Sequence, residues 1–251
     1  MTRAAGRWFV HGPARPGRPR LLCFPHGGGS AAEYVRWARH LPAVELHALQ
    51  LPGRGTRLSE TPLTGMDELV EAIVDAVPAG GPYSVFGHSL GALVAYEVTR
   101  ALTRAGRRLP DQLVVSGFPA PSTRRTEPPL HELPDDELVA EVGRRHGGLP
   151  PEVAGDPELK AIAARCLRAD YRVLETYEWR PGEPVDVPLT VFGGQDDAIA
   201  PDAMLAWQRH AEKEITVRMF PGDHFYFREH QALVLRALSG ALTMKRTDTA
   251  A

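Results

Sequence analysis

Short runs of apolar residues alternate along the chain with longer segments whose apolar positions recur at helical spacing. The short runs predict buried strands at residues 20–24, 44–49, 83–86, 112–116, 189–192 and 215–220. The longer segments predict helices at residues 32–41, 66–77, 90–104, 201–210 and 229–238. Thr64, three residues before Asp67, predicts a capping box at the start of the second helix. Strands that alternate with helices are typical of a mostly parallel sheet with helices on both faces, so the pattern predicts an α/β fold.

Composition and charge narrow the class of protein. The chain has 251 residues, a length that fits one large α/β domain better than two small ones. Its 29 basic and 31 acidic side chains leave a net charge of -2, whereas nucleic-acid binding normally shows as a basic excess. No apolar run is long enough to span a bilayer, and residues 1–20 lack the apolar core of a signal peptide. We therefore expect a cytoplasmic monomer with no nucleic-acid or membrane partner and with a disordered tail at residues 245–251.

The cysteines and histidines predict neither disulfides nor a metal site. Cys23 and Cys166 are too few for a disulfide framework and form no CxxC pair. The chain contains no HExxH motif and no close Cys/His cluster. We therefore expect no metal and no bound cofactor.

A G-x-S-x-G motif spans Gly87, Ser89 and Gly91. It follows the predicted strand at residues 83–86 and precedes a predicted helix, which is the context of a nucleophile elbow. The turn is tight, so the residues that flank the serine must be very small, and glycine has no Cβ to clash. A chance pentapeptide in a glycine-rich chain is the alternative. The surrounding strand and helix favour Ser89 as a nucleophile.

A serine hydroxyl needs a general base, and in this arrangement the chain order is serine, acid, histidine. His224 lies in a turn directly after the predicted strand at residues 215–220, where such a base is expected. His230 is the nearest rival but lies inside a helical pattern. His88 adjoins Ser89, so its side chain is expected to point away from the hydroxyl. The sequence therefore favours His224 as the base.

The acid that orients the histidine is expected after the strand at residues 189–192. Two adjacent aspartates, Asp196 and Asp197, occupy that loop. The spacing from Gly194, and the proline at position 201, favour Asp197. Asp196 remains the alternative, and the other of the two is expected to cap a loop or helix.

Two backbone N–H groups are candidates for an oxyanion hole. One belongs to Leu90, the residue after the candidate nucleophile. The other is assigned to Gly27, in the Pro-His-Gly-Gly-Gly-Ser loop at residues 25–30 after the first predicted strand. A flexible turn is the alternative for this loop. It is not a P-loop, because no Gly-Lys-Ser/Thr sequence follows it.

The stretch from residue 118 to residue 187 interrupts the alternation of strands and helices. It gives two helical patterns, at residues 135–145 and 157–179, with no strand candidate between them. One interpretation is a packed helical insertion without further role. We favour a lid over the carboxyl edge of the sheet, because the insertion separates the strand that precedes Ser89 from the strand that precedes Asp197.

Together these motifs resemble the type II thioesterases that accompany polyketide and nonribosomal peptide synthetases. The resemblance covers nearly the whole chain and rests on the segments at residues 22–29, 51–55, 87–91, 193–197 and 221–225. It implies an α/β-hydrolase fold and an editing enzyme that removes stalled or wrong acyl groups from the phosphopantetheine arm of an acyl or peptidyl carrier protein. Two positions depart from the family pattern: Gly27, where alanine is frequent, and Leu90, where methionine is common.

Other functions remain open at this point. A general carboxylesterase would use the same three residues, and a cyclising thioesterase domain would share the fold. A hydrolase fold used only for binding is a third alternative, which the complete set of Ser89, Asp197 and His224 disfavours. The identities of the acyl group and of the carrier protein do not follow from the sequence.

Overall fold

The computed structural model describes residues 7–123, 127–146, 153 and 155–243. Within these residues, seven strands form one sheet in the order β1-β3-β2-β4-β5-β6-β7. The strands are β1 (Phe9–His11), β2 (Arg20–Phe24), β3 (Glu45–Leu49), β4 (Tyr83–His88), β5 (Leu113–Ser116), β6 (Leu189–Gly194) and β7 (Thr216–Phe220). β1 is antiparallel to β3, whereas the other neighbouring pairs are parallel. The carboxyl ends of β2 to β7 therefore meet at one edge of the sheet, where such sheets bind ligands.

Helices cover both faces of the sheet. They are α1 (Ala31–Val35), α2 (Met66–Ala76), α3 (Leu90–Arg104), α4 (Asp135–His146), α5 (Pro157–Glu175), α6 (Pro201–Leu205), α7 (Tyr226–Glu229) and α8 (Gln231–Thr243). Successive strand residues point to opposite faces. In β2, Leu22 and Phe24 join the core that includes α2 and α3, whereas Leu21 and Cys23 join the core that includes α1 and α8. The predicted mostly parallel sheet between two helical layers is confirmed.

The predicted elements differ from the structure mainly at their ends. The helices predicted at residues 32–41 and 201–210 end early and continue as 3-10 helices, Arg36–His40 and Ala206–His210. The predicted capping box at Thr64 is wrong, because Gly65 is the N-cap of α2 and no side chain caps this helix. The sequence pattern does not predict β1, because three residues are too few to establish an alternation.

Helices α4 and α5 follow β5, precede β6 and pack against each other. Leu138 of α4 forms a small separate core with Leu130 and with Leu167 and Tyr171 of α5. Both helices belong to the predicted insertion at residues 118–187, of which residues 124–126, 147–152 and 154 lie outside the described part. The predicted tail at residues 245–251 lies outside it as well. None of the described helices is long and apolar enough to cross a membrane.

Candidate active site

Ser89 occupies a strained one-residue turn between β4 and α3. Its φ of 53° and ψ of -121° make it the non-glycine residue with positive φ among those that the structure describes. A Cβ on Gly87 would come within 2.2 Å of the Gly91 carbonyl oxygen, and a Cβ on Gly91 within 2.1 Å of the Phe24 carbonyl oxygen. These distances explain why the motif needs glycine at both positions. Strain of this kind persists only where the surrounding structure enforces it, and it is concentrated at functional sites.

Asp197 and His224 follow the ends of β6 and β7 and form a buried hydrogen bond. His224 Nδ1 lies 2.8 Å from Asp197 Oδ2, and the two side chains are 7% and 4% exposed. A carboxylate can only accept, so Nδ1 donates in this bond, and in the neutral form of the ring Nε2 is left as an acceptor. Asp196 instead accepts the N–H of Gly222 at 3.2 Å and shapes the loop. Of the two aspartates, the structure brings Asp197 to the imidazole.

All five residues singled out in the sequence line one cavity of about 1300 Å³ at the carboxyl edge of the sheet. They are Ser89, Asp197, His224, Gly27 and Leu90. No hydrogen bond joins the Ser89 hydroxyl to the His224 imidazole in this structure. Contacts of this kind often become short only once substrate is bound, so the geometry is compatible with Ser89 and His224 acting together.

The two candidate oxyanion donors are the backbone N–H groups of Leu90 and Gly27. Leu90 is the first residue of α3, so its N–H has no acceptor within the helix. The loop after β2 forms a turn in which the Gly29 N–H donates to the His26 carbonyl at 2.9 Å, with Gly28 at a φ of 75°. That positive φ at the third position is the requirement of a type II turn. Among the described residues, no acceptor is found for the Gly27 N–H.

Two other histidines surround the site and are held neutral. Burial, followed by the nearby Arg228 and His224, places the pKa of His26 well below its usual value. Burial and the nearby His224 do the same to the pKa of His88. His88 Nδ1 lies 2.8 Å from Ser116 Oγ, and its ring centroid lies 4.9 Å from that of His224.

The insertion contributes residues that the sequence analysis did not identify. His146, the last residue of α4, packs its ring 4.4 Å from the ring of His224, measured between centroids. Asp170 of α5 is buried, binds Arg54 through two hydrogen bonds and accepts the N–H of Gly28. A signal for Asp170 exists in the sequence, because it lies on the apolar stripe of its helix, where a charged residue requires a partner. No sequence signal identifies the partner.

Within the described ranges, no group of three or more His, Cys, Asp or Glu side chains has a geometry that could hold a metal ion. The independence from cofactors therefore stays a prediction.

The mostly parallel sheet, the strained turn at Ser89 and the Asp197–His224 hydrogen bond define an α/β hydrolase. Residues 19–242 match the family model of the thioesterase domain. The chain therefore belongs to the thioesterase family and is a hydrolase that acts on thioesters.

Known relatives refine this assignment. The chain is similar to the gramicidin S biosynthesis protein GrsT of Aneurinibacillus migulanus, with 34% identity over 89% of this chain and 89% of that protein. It is also similar to thioesterase PikA5 of Streptomyces venezuelae, with 36% identity over 93% of this chain and 84% of that protein. The solved structure of the type II thioesterase BorB from the borrelidin biosynthetic cluster matches with a TM-score of 0.85 and 40% identity, over 94% of this chain and 97% of that one. The resemblance to type II thioesterases and the α/β-hydrolase fold are confirmed.

Proposed function

We propose that this thioesterase is an editing enzyme that hydrolyses stalled or aberrant acyl groups from the phosphopantetheine arm of acyl or peptidyl carrier proteins. The observation that carries the proposal is the cavity that Ser89 shares with the hydrogen-bonded Asp197–His224 pair, in a chain of the thioesterase family. The kinship with proteins of gramicidin S and borrelidin biosynthesis supports polyketide or nonribosomal peptide biosynthesis as its context.

In the proposed reaction, Ser89 Oγ attacks the thioester carbonyl carbon while His224 Nε2 takes its proton. Asp197 holds the imidazole through Nδ1 and stabilises the imidazolium. The intermediate collapses, the C–S bond breaks, and the imidazolium returns the proton to the pantetheine sulfur. Water then attacks the serine ester by the same route, which releases the free acid and restores the Ser89 hydroxyl.

The backbone N–H groups of Gly27 and Leu90 are proposed to bind the oxyanion of both intermediates. Leu90 opens α3, so the positive end of the helix dipole also favours negative charge there. Donors of this type act on charge that develops only in the transition state, so they raise kcat more than they lower KM.

The insertion is proposed to act as a lid over the acyl chain, and the carrier protein is proposed to dock beside it. Apolar side chains from α4 and α5 line the cavity, namely Val139, Val142, Ala163, Leu167 and Leu174. Arginine side chains also line it, namely Arg36, Arg144, Arg145 and Arg228. The apolar set suits an acyl group, and the arginines suit the phosphate of the arm. We further propose that the enzyme is a cytoplasmic, cofactor-independent monomer.

The test compares acyl-loaded carrier protein with oxygen esters of the same acyl group, for the parent enzyme and for Ser89→Ala. We expect the carrier thioester to be preferred in kcat/KM, and Ser89→Ala to lose at least about 10³-fold in kcat. A preference for the oxygen esters would identify a general carboxylesterase instead. Full thioester turnover by a folded Ser89→Ala protein would refute the assignment of the nucleophile.

A further inference from the structure

A buried ion pair joins the insertion to the loop that carries the candidate oxyanion donor. Arg54 follows β3, and Asp170 lies on α5, 116 positions further along the chain. Arg54 Nη1 and Nη2 donate to the two carboxylate oxygens of Asp170 at 2.5 and 2.7 Å. Both residues are at most 5% exposed, so neither charge is solvated by bulk water.

The pair also binds a backbone N–H and a backbone carbonyl of the glycine loop. Asp170 Oδ2 accepts the N–H of Gly28 at 2.6 Å, and Arg54 Nη1 donates to the carbonyl of Gly29 at 3.2 Å. The pair therefore contacts Gly28 and Gly29 of the loop. A Cβ built on Gly27 would lie 3.7 Å from the Cβ of Asp170, so the aspartate also lies near that residue.

Stability alone is a weak explanation for such an arrangement. Desolvation of two charges offsets much of their attraction, and a well-packed apolar pair of similar volume is often as stable. A glycine loop, in contrast, has many accessible conformations, and only some of them aim a given N–H at a substrate. Asp170 on the Gly28 N–H and Arg54 on the Gly29 carbonyl are fixed charged partners, and together they select one conformation of the loop.

We propose that Arg54 and Asp170 are positioning residues that hold the loop at residues 27–29 in its oxyanion-binding conformation. Through Asp170, this conformation depends on the position of α5 relative to the loop. The proposal rests on the proposed function, since it presupposes that the Gly27 N–H binds the oxyanion. The thioesterase is then competent only while the insertion is docked, because Asp170 moves with α5.

The experiment uses the double variant Arg54→Met/Asp170→Leu, which removes both charges together and keeps the buried volume. We expect its urea unfolding midpoint to stay near that of the parent. We expect kcat for an acyl-pantetheine thioester to fall roughly 30- to 300-fold while KM changes less than about threefold, as for the loss of an oxyanion-hole donor. Affinity for an alkyl boronic acid, which forms a tetrahedral adduct with Ser89, should fall in parallel with kcat.

A second buried ion pair provides the matched control. Arg100 donates to Glu97 at 2.9 Å on α3, and neither side chain lines the cavity. The variant Glu97→Leu/Arg100→Met should keep kcat within about twofold of the parent, since it touches no group near the reacting atoms. If the double variant at positions 54 and 170 does not fold, Asp170→Asn serves instead. It keeps the size of the side chain and an oxygen that can accept the Gly28 N–H but removes the charge, so it should lower kcat about 3- to 30-fold at unchanged KM.

Hydrogen exchange separates this proposal from the proposed function. The Gly28 amide should exchange at least about tenfold faster in the double variant than in the parent, because its acceptor is gone. If Ser89→Ala kept its turnover, the proposed function would be refuted. Hydrogen exchange at the Gly28 amide would still show whether Arg54 and Asp170 hold the loop. The positioning role is overturned by a folded variant with parental kcat, by a loss confined to KM, or by unchanged exchange at Gly28.

Discussion

Replacing Asp197 by asparagine removes one negative charge from a buried hydrogen bond while it keeps the size of the side chain. The bond to His224 measures 2.8 Å, and both side chains are less than a tenth exposed, so solvent does not screen the change. A hydrogen bond to a charged group is worth about 1.5–3 kcal/mol. At about 1.36 kcal/mol per factor of ten, this loss alone lowers kcat about 10- to 150-fold.

Tautomer control adds to this loss. The asparagine amide can donate to Nδ1, which moves the ring proton to Nε2 and leaves His224 unable to accept the proton of Ser89. The equivalent change in a serine protease lowers kcat about 10⁴-fold. We therefore expect Asp197→Asn to lower kcat by about 10² to 10⁴ at pH 7.5, in a steady-state assay with an acyl-pantetheine thioester.

Asp196→Asn is the matched control, because the two aspartates are adjacent and equally plausible by type. Asp196 accepts the N–H of Gly222 at 3.2 Å, and an asparagine oxygen can still accept it. We expect a change in kcat of less than about threefold. A larger loss in Asp196→Asn than in Asp197→Asn, with both proteins folded, would refute the assignment of the acid.

Two further predictions concern stability. Gly91→Ala should lower the free energy of unfolding by at least about 2 kcal/mol, because the new Cβ would meet the Phe24 carbonyl oxygen. Gly240→Ala in α8 has open space around the new Cβ and should raise the free energy of unfolding by about 0.5–1 kcal/mol. Urea titrations check both, and equal effects would contradict the steric argument. Burial lowers the pKa of His210 to about 4, below its usual value of 6.5, so folding favours the neutral ring. Stability should therefore fall as the pH drops from about 6.5 to 4, by about 1–3 kcal/mol, and should fall less in His210→Gln; an equal fall in both proteins would contradict the role of this ring.

Much of the fold is readable from the sequence because it depends on local patterns. The central strands are buried on both faces, so they stand out as apolar runs, and the Gly87-His88-Ser89-Leu90-Gly91 turn has a steric requirement that only glycine meets. The helix boundaries are less readable. At residues 36 and 206 the α-helix is replaced by a tighter 3-10 helix, and no residue type at these positions predicts the change.

The same division applies to the candidate site. Ser89 and His224 could be selected from the sequence, since each sits at a defined distance after a strand whose carboxyl end lies at the binding edge. The contacts of Asp170 with Arg54 and with the glycine loop could not be predicted, because they join segments more than a hundred residues apart.

The sequence by itself determined the alternation of strands and helices, the strained serine turn and the set of residues that we propose for acyl transfer. These follow from periodicity and from the size of side chains next to each other in the chain. Only the tertiary structure decided which aspartate reaches His224, and it alone brought Asp170 to the glycine loop. Those choices depend on how separate elements pack, and a difference of one position along a loop decides whether a carboxylate contacts the imidazole or the backbone.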